Sequence, residues 1–155
     1  MTDNNKISRV RNLVGLQYMF LGRIGELPKT KQDTIRMNAE GLGIDCYGVC
    51  LVINRFLGRY LPDYTYEPDW YKNGKNYFLE EIEKYFDIFK KEEVAVPKLW
   101  DHVLIKIKSK VPNHIGICIG GGKFIHCVEE QMVAVSRLHD YNNFIKLILR
   151  YRNAS

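Results

Sequence analysis

The sequence predicts an α+β domain, with helices gathered in its first half and antiparallel strands in its second. Three observations carry that expectation. Apolar residues recur at helical spacing from Ile7 to Leu57. A second amphipathic stretch runs from Tyr77 to Lys91, with Phe78, Leu79, Ile82, Tyr85, Phe86 and Phe89 on one face. From Val94 the apolar period changes to two, in short runs divided by turn residues. At 155 residues, 46% hydrophobic and 26% charged, the chain fits one soluble globular domain over 1–155 with a self-sufficient core.

The elements follow in order. Ile7, Val10, Leu13 and Val14 predict a helix from about Lys6 to Gly15, and Gln17 to Leu21 reads as an extended or turn segment. Gly22 to Glu40 is polar, with a short helix expected over Lys31 to Met37. It is long for a connection, and long ordered loops often carry function. Gly41-Leu42-Gly43-Ile44-Asp45 is a turn feeding a helix from Cys46 to Arg59, with Asp45 near the N-cap. Two prolines and a cluster of aromatics make Leu61 to Lys75 irregular. Strands are expected at His102–Ile107, Ile115–Ile119, Lys123–His126, Val133–Ser136 and Phe144–Arg150, with Gly120-Gly121-Gly122 as a hairpin turn.

Charge and cysteine usage narrow the partners. A net charge of +5 suits an anionic partner such as nucleic acid or an acidic cell wall. The cations are scattered, however: Lys90-Lys91 are followed at once by Glu92-Glu93, and no zinc-finger spacing or nucleic-acid motif accompanies them. A nucleic-acid partner is therefore not expected. Cys46, Cys50, Cys118 and Cys127 do not form a disulfide framework, and one helical turn between Cys46 and Cys50 is poor disulfide geometry. Free thiols in a reducing compartment are expected. The N-terminus is polar and Leu13–Leu21 is short and interrupted, so neither a secretory leader nor a membrane span is expected, and the protein should be cytoplasmic when made.

The chemistry concentrates on three residues. Cys46 stands at a helix start, where the positive end of the helix field and free backbone N–H groups favour thiolate over thiol. If the hairpin turns at Gly120 to Gly122, His114 and His126 fall on or near the same cross-strand rung and face the same side. A cysteine nucleophile needs an imidazole to take its proton and a polar group to fix that imidazole's tautomer. Cys46, His114 and His126 supply the three roles.

These boxes carry a family resemblance. Asp45-Cys46-Tyr47-Gly48-Val49, then Asn113-His114-Ile115-Gly116-Ile117-Cys118-Ile119-Gly120 and Lys123-Phe124-Ile125-His126, resemble the NlpC/P60 papain-like cysteine peptidases. That family's pattern is an Asp-Cys-Ser-Gly box, a His-Val-Gly-Ile-Tyr-Ile-Gly strand, and a polar residue twelve positions after the first histidine. The resemblance implies a papain-like fold, with the nucleophile helix packed on a central antiparallel sheet. It implies Cys46 as nucleophile, His114 as base and His126 as orienter, with Tyr18, Asp45 and Tyr47 lining the oxyanion and substrate side. The implied substrate is a peptidoglycan stem peptide, cut at a γ-D-glutamyl bond to a diamino acid. The segment after the helix, with Asp69-Trp70, resembles the phage-encoded branch, which implies tail proteins as partners and a virion-associated location.

Departures from the pattern are Tyr47 in place of serine, Trp100-Asp101-His102 where Gly-Asp is usual, and a longer stretch between Tyr18 and Cys46. Three other readings stand beside the peptidase. Cys46, Cys50, His114, Cys118, His126 and Cys127 are zinc-competent types, but no Cys-x-x-Cys knuckle is present, and no metal or other cofactor is expected. The same fold could serve as a non-catalytic tail-assembly module. An acyl- or amide-transferring thiol enzyme would share the same chemistry.

Overall fold

The computed structural model describes residues 1–63, 65–74, 80, 89–92 and 96–152. Helix α1 (Asp3–Arg11) begins earlier than its apolar residues suggest, because the Thr2 hydroxyl accepts from the Asn5 N–H and caps it. Asn12 closes it, so Leu13 to Gly15 are turn rather than helix. Helix α2 (Lys31–Ala39) opens on a capping box between Thr30 and Asp33. Helix α3 (Cys46–Phe56) is capped by Asp45, and the buried Val49, Cys50, Leu51, Val52 and Ile53 anchor it to the main core.

The long connection before α3 is tied down. Arg9 donates to the carbonyls of Pro28 and Leu27, Asn12 to those of Pro28 and Lys29, and Lys31 to that of Arg11. Leu27 and Met37 join the main core.

The strands are β1 (Phe89–Glu92), β2 (His102–Ile105), β3 (His114–Gly120), β4 (Lys123–Cys127), β5 (Val133–Arg137) and β6 (Ile145–Tyr151). They form one antiparallel sheet in the order β1-β6-β2-β3-β4-β5. The helix expected from Tyr77 to Lys91 falls, over 77–79 and 81–88, outside the described residues. Its last residues are a correction: Phe89 to Lys91 are strand, paired with Tyr151 to Leu149. The pairing covers the ladder edge that β6 would otherwise leave open.

Alternation divides the sheet into two faces. Leu104, Ile115, Ile117, Ile119, Ile125, Cys127 and Leu149 join α3 in the main core. Val103, Ile105, Cys118, Phe124 and Ile148 form a smaller core on the other face, with Leu138 and Tyr141 packed against it. His114 is the first residue of β3, so its side chain stands at the end of the sheet beside the start of α3.

Candidate active site

Asp45 is where the site is assembled. It is 3% exposed, and its carboxylate takes four donors. Oδ1 accepts from the Gly48 N–H at 2.8 Å and from the Arg23 guanidinium at 2.7 Å. Oδ2 accepts from the Leu21 N–H at 3.0 Å and from the Tyr66 hydroxyl. Arg23 also donates to Asp63 and to the Gly22 carbonyl. A single carboxylate thus caps α3 and draws the segments around residues 21–23 and 63–66 to the helix start.

Cys46, the first residue of α3, lies at the surface of this assembly, partly exposed. The helix-end argument predicts a lowered pKa, and the structure gives the opposite direction. Burial pushes the thiol well above its ordinary value and the Asp45 carboxylate adds to that, against hydrogen bonds from the Ile115 and Tyr47 backbones. Desolvation and the cap's own charge both favour the neutral thiol. The resting sulfur is therefore a thiol. The sulfur lies near the start of β3, since Cys46 and His114 line the same groove.

His114 Nε2 lies 2.7 Å from His126 Nδ1, and both rings are buried, at 4% and 2% exposed. The β3–β4 register pairs Ile117 with Ile125 and Cys118 with Phe124. Continued by one step, it sets His126 opposite Gly116 and His114 one diagonal away. That is two residues from the rung expected, and an even offset keeps both rings on one face. Gly116 makes the approach possible: a Cβ there would come within 2.7 Å of Phe124 Cδ2 and 3.2 Å of His126 Cβ. Phe124 and Tyr141 flank the His126 ring at centroid distances of 4.4 and 5.6 Å. Burial lowers His126 to about 4, and burial, then the neighbouring His126, lower His114 to about 3. Both imidazoles are therefore neutral at pH 7.

One groove brings Cys46 and His114 together. Tyr18, Tyr66, Trp70, Tyr71 and Glu129 are among its walls, and Asp45 lies at its floor. Its free volume is about 60 Å³. A wider recess of about 430 Å³ adjoins it across Tyr71, Asn113, His114 and Glu129, with Lys72 and Lys108 on its far side. Tyr18 is held by a bridge to Ile44 and by its N–H, which donates to the Gln131 carbonyl at 2.9 Å. Burial, then Glu129 and Asp45, raise its phenol well above the ordinary value, so it presents an O–H donor to the groove.

Tyr47 corrects the expectation that it lines the substrate side. Its side chain is 2% exposed, sits in the main core, and donates to the Pro62 carbonyl. A residue that follows Cys46 on a helix points about 100° away from it. Arg23, Tyr66 and Glu129 were not anticipated from the sequence. Each comes from a loop remote in sequence from the Cys46 box, with no periodic signal of its own. All four cysteines are free thiols.

The sequence and the fold both have known relatives. The family model described as "NlpC/P60 family" matches residues 15–149. Tail tip assembly protein K of Escherichia phage lambda is 32% identical over 96 residues, covering 62% of this chain and 47% of that protein. The chain thus spans about half the length of the curated relative it matches. Among solved structures, the NlpC/p60 domain of peptidoglycan hydrolase SagA superposes with a TM-score of 0.57 at 16% identity, covering 97% of this chain and 99% of that one. Peptidoglycan hydrolase RipB of Mycobacterium tuberculosis gives a TM-score of 0.59 at 15% identity, covering 97% and 67%. At such identities the superpositions establish a shared fold.

Proposed function

This chain belongs to the NlpC/P60 family, and from that premise we propose that its groove is the active site of a cysteine peptidase cutting amide bonds in bacterial cell-wall peptides. One observation carries the reading. A thiol at the start of α3 shares a narrow groove with an imidazole whose far nitrogen is bonded to a second imidazole.

Cys46 Sγ attacks the amide carbonyl carbon as its proton passes to His114 Nδ1, the ring nitrogen left free by the Nε2 contact with His126. The negative oxygen that forms is met by backbone N–H groups at the start of α3 and by the Tyr18 hydroxyl. Collapse breaks the C–N bond and the leaving amine takes the proton from His114. Water, deprotonated by the same ring, then hydrolyses the thioester. His126 holds His114 in register throughout.

The bond proposed is that between γ-D-glutamate and a diamino acid, which the family resemblance implies. Glu129 on the groove wall suits an ammonium group of such a substrate, and Lys72 and Lys108 on the adjoining recess suit its carboxylates. The similarity to a phage tail tip assembly protein supports a virion-associated setting. It also favours a second reading, in which the domain serves tail assembly without turnover.

Incubation of the protein and of Cys46→Ala with purified peptidoglycan and short γ-D-glutamyl peptides, followed by mass spectrometry, separates the two. Cleavage by the parent alone is expected. Cleavage that survives Cys46→Ala would overturn the mechanism. No cleavage, together with a Cys46 thiol that resists alkylation near neutral pH, would favour the assembly reading.

A further inference from the structure

His126 has a second polar contact that the three-residue scheme does not use. Its Nε2 lies 2.7 Å from Ser136 Oγ. The β4–β5 register pairs His126 with Ala134 and Phe124 with Ser136. Ser136 therefore meets the imidazole diagonally, on the same sheet face. Cys46, His114, His126 and Ser136 then form a line that runs from the groove across β3 and β4 to β5.

The direction of the protons along that line follows from the donor inventory. To accept a proton from Cys46, His114 must present a bare Nδ1, so its own hydrogen is on Nε2. That hydrogen points at His126 Nδ1, 2.7 Å away, which must then be bare. The His126 hydrogen is therefore on Nε2, and it needs an acceptor. Ser136 Oγ is the acceptor in place. Without it, His126 would gain by moving its hydrogen to Nδ1 and donating to His114. His114 would then shift its own hydrogen to Nδ1 and show the sulfur a donor instead of a lone pair. Phe124 and Tyr141 pack around the His126 ring, so it cannot swing away to find another partner.

We propose that Ser136 is a positioning residue: its hydroxyl oxygen fixes the tautomer of His126, and through it that of His114, so that the groove holds a base. The proposal rests on His114 being the base for Cys46. It requires an oxygen at position 136, and it assigns Ser136 no contact with substrate.

The test compares Ser136→Thr with Ser136→Val, which differ by one oxygen and share shape and β propensity. The rate of Cys46 alkylation by iodoacetamide is measured from pH 5 to 9 in the parent, both variants and His114→Ala. Where peptide turnover is available, kcat and KM are measured separately. Ser136→Thr should stay within about threefold of the parent. Ser136→Val should lose on the order of tenfold to a hundredfold in alkylation near neutral pH and in kcat, with KM little changed. Its alkylation profile should move to higher pH, toward that of His114→Ala.

Equal rates and profiles for the threonine and valine variants, with His114→Ala slow, would overturn the role of Ser136 and leave the base in place. If His114→Ala alkylates as fast as the parent, the premise fails and the proposal with it. Peptide cleavage need not occur for either result, so failure to find the cell-wall substrate is a separate outcome. Should the valine variant not fold, Ser136→Ala against Ser136→Thr supplies the same comparison.

Discussion

Replacing Asp45 by asparagine should weaken the fold while making the Cys46 thiol more acidic. The carboxylate has two oxygens and four donors: Gly48 N–H and Arg23 on Oδ1, Leu21 N–H and Tyr66 on Oδ2. Asparagine has one acceptor oxygen. Turned toward Gly48 and Arg23 it preserves the cap, since asparagine caps as well as aspartate. Its amide nitrogen then faces the Leu21 N–H, donor against donor. The Tyr66 hydroxyl can rotate to accept, but the Leu21 N–H cannot. Leaving that group unpaired costs about 1–3 kcal/mol, and losing charge assistance on the Arg23 contact costs about 1 more. The sum of about 2–4 kcal/mol corresponds to a melting temperature lowered by about 5–15 °C for a chain of this size. The Asp45 charge is also one of the causes that hold the Cys46 pKa up, so its removal should move the pH profile of alkylation downward. Thermal unfolding and site-resolved alkylation of the same sample read both effects. A melting temperature within about 2 °C of the parent, or a profile moved to higher pH, would refute the placing of Asp45 at the centre of the site.

Gly116→Ala puts a methyl 2.7 Å from Phe124 Cδ2 and 2.9 Å from the Ile125 carbonyl oxygen. Turnover and Cys46 alkylation should fall by about tenfold or more as His126 is displaced, with unchanged rates counting against the diagonal register. Tyr47→Phe removes the hydroxyl bonded to Pro62 and should cost about 1–2 kcal/mol in denaturant unfolding without slowing alkylation, because the ring faces the core. His102, His114 and His126 are lowered by burial to about 4, 3 and 4. Between about pH 4 and 6.5 the unfolded chain binds protons that the folded one refuses, so stability is full above the unfolded pKa and is lost as pH falls. Each group so shifted contributes on the order of 1 kcal/mol per pH unit inside its window, so stability falls steeply below about pH 6. Denaturant unfolding at pH 7 and pH 5 measures the slope, and a flat profile would refute the burial argument.

Trp100 illustrates how an unusual residue keeps a usual backbone. The turn leading into β2 carries Trp-Asp where the resembled family carries Gly-Asp. Its backbone still adopts φ +71, the left-handed region that glycine favours. Such a conformation costs roughly 1–2 kcal/mol for a side-chain residue. Burial of the indole, 6% exposed, and the Trp100 N–H to Cys118 carbonyl bond at 2.8 Å offset it. Asp101 holds the same turn by accepting from the Lys98 N–H and from Arg150 on β6.

Local pattern was enough for what depends on neighbours in sequence. The helix at Cys46, its Asp45 cap, the hairpin at the three glycines and the shared face of His114 and His126 all follow from spacing, because a strand's side chains alternate with a period of two and a cap acts within one turn. Helix ends and strand ends shifted by a few residues where a cap such as Thr2, or a partner strand such as β6, decided the boundary. Tertiary structure alone decided the rest. It turned Tyr47 into the core, brought Arg23 and Tyr66 onto Asp45 from two separate loops, and set Ser136 against His126 from a neighbouring strand. It also set burial and the Asp45 charge against the helix field at Cys46. A helix field is read from one dimension, but desolvation depends on everything packed around the sulfur, and that exists only once the chain has folded.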